Sequence, residues 1–120
     1  MERNRFVIEL GTGVDLHGED ATEASCRAVT DAISNSCLCG LSEVVKPEEA
    51  TKIEVEILIA TPKPDSVDVD RVKSMAPIGE KSVQVIEGGM TAQGLMVERF
   101  GPGCDKILVA NAAVTVFVCS

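Results

Sequence analysis

A short apolar run, Phe6-Val7-Ile8-Glu9-Leu10, leads into Gly11-Thr12-Gly13-Val14-Asp15-Leu16-His17-Gly18, and a helical pattern begins near Asp20. That order constrains the chain to a strand over Arg5 to Leu10, a glycine-hinged turn and a helix. Glycine at such a turn allows positive φ and lets a ligand approach the backbone with no Cβ in the way. The turn carries the only histidine, two residues after an aspartate. An Asp-x-His on extended backbone places both side chains on one face. The pair sits at the carboxyl end of a strand and beside a helix start, where open α/β sheets place ligands. A carboxylate and an imidazole there suit a metal, an anion or a proton transfer. The plainer reading is that Asp15 and His17 cap and brace the turn, and both readings stand at this point.

The helix itself is well marked. Asp20-Ala21-Thr22-Glu23 has capping-box form, with an acid at the N-cap and a glutamate three residues on. Ala21, Ala24, Ala28, Val29, Ala32 and Ile33 then recur at three- and four-residue spacing to about Ser36. An apolar side made mostly of alanine predicts close packing against a sheet. Gly40 is a plausible stop, and Pro47-Glu48-Glu49 marks a turn in the connection that follows.

Lys52 to Ala60 alternates, with Ile53, Val55, Ile57 and Ile59 on one face and Glu54 and Glu56 on the other. Leu58 makes the end of that strand apolar on both faces, which predicts deeper burial or a subunit interface. Pro62 and Pro64 end it. Val69, Val72 and Met75 mark a weak helical patch. Ser82 to Glu87 reads as a third strand, stopped by Gly88-Gly89, and Leu95 to Phe100 as a fourth, closed by Gly101-Pro102-Gly103. Ile107 to Val118 is a long β-prone run with Asn111 as a bulge or loop point. The later strands are spaced for hairpins. The expectation is one α+β domain over residues 1–120: a two-layer sandwich whose mixed or antiparallel sheet of four to five strands carries one main and one short helix.

Composition narrows the partners. Three phenylalanines, with no Trp or Tyr, leave the core to aliphatic residues and make a base-stacking platform improbable. A net charge of −8 repels phosphate backbones and anionic membranes, so neither nucleic acid nor membrane is expected as a partner. No window approaches the roughly 20 apolar residues of a membrane span. Five cysteines in a chain with no signal-peptide pattern point to a cytoplasmic protein with reduced thiols.

Several chemistries are excluded by spacing. Gly11-x-Gly13 lacks the third glycine of a dinucleotide fingerprint, and no Gly-Lys-Ser/Thr follows for a phosphate-binding loop. Cys37-x-Cys39 has no matching pair, so its thiols read as small buried hydrophobes rather than zinc ligands. Two outlying residues join the turn as ligand-binding candidates. Lys63, held between two prolines, is the best-placed cation for a small anionic ligand; Glu87 ends a strand and is able to turn a carboxylate into a cleft. A solvated lysine and a solvated glutamate are the ordinary alternatives.

The run Gly11-Thr12-Gly13-Val14-Asp15-Leu16-His17-Gly18 resembles the Gly-x-Gly-x-Asp-x-His-Gly signature of a small conserved family of unknown function found in scattered bacteria and in plants. Chain length agrees over essentially the whole sequence. A second resemblance is to the methylerythritol cyclodiphosphate synthases. Gly13-Val14-Asp15-Leu16-His17 is similar to their metal-binding Asp-x-His, and Ala28-Val29-Thr30-Asp31-Ala32-Ile33 to the helix after it. Ile59-Ala60-Thr61-Pro62-Lys63 is similar to their Pro-Lys loop that contacts a nucleotide, and Val85-Ile86-Glu87 to a strand ending in a metal-binding glutamate. That resemblance implies a homotrimer with active sites between subunits. The chain departs from it by lacking the segment with the third metal ligand, by Val-Ile-Glu in place of Thr-Thr-Glu, and by its shorter length.

The expectation drawn from all this is a homo-oligomer with a ligand or metal site at Gly11–Gly18. Asp15 and His17 would be metal ligands or an acid/base pair, Gly11 and Gly13 would shape the backbone, and a divalent metal would activate water or polarise an oxyanion. The rival expectation is a non-catalytic oligomeric module whose glycine turn is only a tight connection.

Overall fold

The structure, a computed structural model, describes residues 2–45, 52–95 and 105–120. The elements run β1 (Arg3–Asp15), α1 (Ala21–Ser34), α2 (Gly40–Glu43), β2 (Lys52–Thr61), a 3₁₀ turn (Pro64–Ser66), α3 (Val69–Lys73), β3 (Glu80–Glu87), β4 (Met90–Gln93) and β5 (Lys106–Cys119). They form an open five-stranded sheet in the order β1-β5-β2-β3, with β4 pairing to β5 beyond the end of β2. Only β2–β3 is parallel; every other pair is antiparallel. The α+β expectation therefore holds, with a mixed sheet and one long helix.

Three features differ from the sequence reading. β1 does not stop at Leu10 but continues through both glycines to Asp15, so the turn is only Leu16 to Gly18. The later strands, spaced for hairpins, do not simply pair with their neighbours in sequence: β3 pairs in parallel with β2 across the 3₁₀ turn and α3, while β4 pairs with β5. Asn111 is no bulge, since it pairs in register with Thr12 and Ala60, and the irregularity lies between Arg5 and Val7. The fourth-strand reading at Leu95 to Phe100 and the turns at Pro47-Glu48-Glu49 and Gly101-Pro102-Gly103 fall wholly or almost wholly outside the described residues.

Among the described residues, the helices pack on one face of the sheet. Ala24, Ala28, Val29 and Ala32 of α1, with Val72 and Ala76, cover Val55, Ile57, Ile59, Ala110, Ala112, Val114 and Val116. The alanine side of α1 meets glycines. A Cβ at Gly11 would fall on the Ala28 carbonyl and the Ala32 nitrogen, and one at Gly13 on the Ala24 carbonyl and the Ala28 nitrogen. Gly11 and Gly13 thus let strand and helix backbones approach each other, a packing role rather than a hinge. α1 is capped by the Asp20 carboxylate, which accepts from the Glu23 N–H at 3.0 Å. In its last turn, Asp31 accepts the outward Thr12 N–H of edge strand β1 at 2.9 Å.

Among the described residues, no helix packs on the opposite face. Across its strands run the rows Val14–Val109–Met90, Thr12–Asn111–Ala60–Ile86, Leu10–Ala113–Leu58–Gln84 and Ile8–Thr115–Glu56–Ser82. Among the described residues, no helix is long and apolar enough to cross a membrane.

Candidate functional site

At the end of β1 the Asp15 carboxylate folds back over its own turn. Its Oδ2 accepts from the backbone N–H of Gly18 at 3.1 Å and of Asp20 at 2.9 Å. Its Oδ1 lies 3.5 Å from Arg27 Nη1, which also donates to the Val14 carbonyl at 2.7 Å. Arg27 pairs in turn with Glu23, and Glu23 with Arg71 of α3, so the corner is a chain of ionic links between β1, α1 and α3. The Thr22 hydroxyl adds another link, accepting from the Asp68 N–H at 2.9 Å. His17 is half-buried, with its Nδ1 enclosed. Glu19 takes a left-handed φ of 49° in this turn, and its carboxylate meets the Lys63 ammonium at 3.2 Å.

The structure thus brings Asp15, His17 and Lys63 to one corner and leaves Glu87 outside it. Glu87 ends β3, and β1 and β3 are the two outer strands of the β1-β5-β2-β3 path. Three inter-strand steps separate them, about 14 Å. Among the described residues, no group of three His, Cys, Asp or Glu side chains is placed to hold a metal. The expected divalent centre on Asp15 and His17 is not supported, because Asp15 is engaged by its own turn, and Glu87, the outlying candidate for the same cleft, lies across the sheet. Gly11 and Gly13 face helix backbone rather than ligand space.

Sequence reasoning missed a second place. On the helix-covered face of β1, two residues before Gly11, stands Glu9, only 7% exposed. Its Oε2 accepts from the Ser36 hydroxyl. Beside it opens a cavity of about 280 Å³ between the C-terminal end of α1, the 76–78 segment and the sheet, lined by Ile33, Leu38, Val55, Pro77, Val116 and their neighbours. Among the described residues, no Lys, Arg or His lines it. The signal available in the sequence was parity: Glu9 shares its face with Gly11 and Gly13, the face an alanine-rich helix needs.

Charge is arranged differently at the far end of the bare face. Arg3 spans Glu54 and Glu56, each at 2.6 Å, and lies 3.5 Å over the Phe117 ring centroid. Lys52 meets Glu54 at 3.1 Å and Glu80 at 3.5 Å. Hydrogen bonds from Arg3, then Lys52, hold the Glu54 carboxyl below the usual range, and the same contacts raise Arg3 and Lys52. Burial raises the Cys26 thiol, with Asp20 and Asp68 adding to it, so that thiol is poorly nucleophilic. Cys37 and Cys39 are free and exposed rather than the buried hydrophobes expected.

No curated protein matches the chain. Among solved structures it is similar to an FtsZ-like protein of unknown function from Nostoc punctiforme, with 37% identity over 100% of this chain and 99% of that one, at a TM-score of 0.85. A family profile described as "conserved hypothetical protein (Lin0512_fam)" matches residues 5–116. The chain therefore belongs to the Lin0512 family of conserved hypothetical proteins.

Proposed function

We propose that this chain is a non-catalytic homo-oligomeric module that assembles by packing the bare face of its sheet against the same face of a second copy. The observation that carries the reading is an inverted strand: on β1 the glutamate is buried while Ile8 and Leu10 are 55% and 71% exposed. Leu58, Ile86 and Met90 extend that apolar surface across β2, β3 and β4. Contiguous exposed apolar area of this kind marks an interaction surface in a water-soluble fold.

A second copy fits by size, shape and charge. Four strands about 4.8 Å apart and about ten residues long offer roughly 600 Å² before side-chain relief is counted. A standard interface buries about 800 Å² per partner. The Cα radius of gyration is 16.6 Å, whereas a compact chain of this length has about 14 Å. The excess comes from elongation along one axis, with extents of 58 × 24 × 18 Å, which leaves a long sheet face for a partner. Arg3, Glu54 and Glu56 pair among themselves at one end of this face, and the Leu10–Ala113–Leu58 row is neutral and self-complementary.

The corner supports this reading better than a catalytic one, because Asp15 holds its turn and Lys63 is paired to Glu19. The likeness to cyclodiphosphate synthases, with the metal it implies, contributes nothing to the reading. The test is sedimentation of the purified chain beside the double variant Leu10→Lys, Leu58→Lys. The expected result is a dimer or larger assembly that becomes a monomer in the variant, with an unchanged circular dichroism spectrum. A wild-type chain that is monomeric at high micromolar concentration, or a variant that still assembles, would overturn it.

A further inference from the structure

We propose that the cavity beside Glu9 is a binding site for a small organic cation, a compact aliphatic or alicyclic ammonium whose charge meets the Glu9 carboxylate. This goes beyond the assembly reading and stands whether or not that reading does.

The first argument is the carboxylate itself. Glu9 is more than nine-tenths buried on a strand, where an ionised group needs a partner. A carboxylate offers about four acceptor sites, and Ser36 fills one of them on Oε2. The rest of the lining among the described residues is aliphatic: Ile33, Leu38, Val55, Pro77 and Val116 among it. Such walls give water little to bond to, since a buried water takes two to four polar partners. They suit a hydrocarbon body with one polar end.

The second argument is the field at that place. The cavity lies at the C-terminal end of α1, where a helix carries partial negative charge. The last turn of α1 contains no basic side chain to offset it, and Asn35 turns its amide inward onto the Asp31 carbonyl at 2.8 Å. The surplus of acidic residues over the whole chain acts in the same sense. Carboxylate, helix end and net charge all favour a cation and disfavour an anion.

Size sets the class. A cavity of about 280 Å³ equals the liquid volume of about nine waters at roughly 30 Å³ each. That suits an amine of about eight to ten heavy atoms, such as cyclohexylmethylammonium, and excludes nucleotides and peptides.

The experiment is calorimetric titration of the full chain with cyclohexylmethylamine, cyclohexylmethanol and cyclohexanecarboxylate near neutral pH, with backbone amide NMR shifts to locate binding. The amine is expected to bind, with shifts at Val55, Ala76, Val114 and Val116. The alcohol should bind at least tenfold more weakly and the carboxylate not at all. In Glu9→Gln, which keeps the volume and removes the charge, amine affinity should fall at least tenfold. In Ser36→Ala, which removes the hydroxyl that now engages Glu9, the free protein should melt lower and the amine should bind at least as tightly as to wild type. The proposal is overturned if wild type binds none of the three, if alcohol and amine bind equally, or if Ser36→Ala loses amine binding. It is equally overturned if Glu9→Gln binds the amine like wild type. Should Glu9→Gln fail to fold, the three ligands on wild type and on Ser36→Ala decide the matter.

Discussion

Helix α1 meets strand β1 in two different ways along a single face. Toward the end of the strand, Gly13 and Gly11 present bare backbone to Ala24, Ala28 and Ala32, and not even a methyl group fits between them. One step back, Glu9 presents a long side chain to Ser36, and a cavity of about 280 Å³ opens beside it. The contrast shows that contact at one end can hold space open at the other. Backbone-to-backbone contact leaves the helix no freedom to settle lower, and the Asp15–Arg27 and Thr22–Asp68 links fix its first turns. A cavity lined by aliphatic side chains would otherwise shrink by inward relaxation. A pinned helix keeps it preformed, as small-molecule sites usually are.

The largest effect comes from breaking the tight end. Gly13→Ala sets a Cβ on helix backbone, with the Arg27 carbonyl carbon at 2.8 Å as well, and backbone cannot rotate out of the way. The expected cost is about 3 kcal/mol, at the upper end of overpacking, which lowers the melting temperature by roughly 10 °C in a chain of this size. A thermal melt checks it; a drop of only a degree or two would show that α1 is free to shift, and that the cavity is not held open from this end.

Asp15→Ala is the next largest. It removes the acceptor for two backbone N–H groups and the partner of Arg27, while leaving the glycine contact intact. Loss of about 2 kcal/mol is expected, with Asp15→Asn closer to wild type because its side-chain oxygen still accepts. Urea titration of the two variants measures the difference. A stability unchanged by Asp15→Ala would remove the bracing role assigned to that carboxylate and return attention to the corner as a site.

Much of this architecture was legible in the residues. The Asp20 cap, the alanine spacing of α1 and the alternation from Lys52 to Ala60 are local signals, and each element formed where its signal lay. What failed was reading glycine locally. Gly11 and Gly13 look like a turn because glycine is the usual turn residue, yet their cause is an alanine helix arriving from farther along the chain. The same long-range cause hid Glu9. Alternation taken alone would bury Ile8 and Leu10 and expose the acid between them; the structure does the reverse. Asn111 failed similarly, for its row partners Thr12 and Ala60 lie on strands that local sequence cannot bring together. The candidate site was half legible. Asp15 and His17 do lie at a strand-to-helix corner, while Glu87 was grouped with them because nothing in a linear sequence reveals that β5 and β2 come between.

The smallest expected effect is also the one of opposite sign, and it bears most directly on the comparison. Val116 is buried on the covered face of β5 and lines the cavity. Val116→Ile keeps a β-branched residue in a strand, where its shape suits the pleat, and extends one methyl group into space now empty. Burying one such carbon is worth about 0.8 kcal/mol; cavity filling in natural proteins commonly yields that order of gain. The melting temperature should rise by about 3 °C. One added carbon at Gly13 and one at Val116 thus act oppositely beneath the same helix, and the sign, more than the size, is the measurement. If Val116→Ile destabilised the chain, the loose end would be as closely packed as the tight one, and the space beside Glu9 would be too small to receive a ligand.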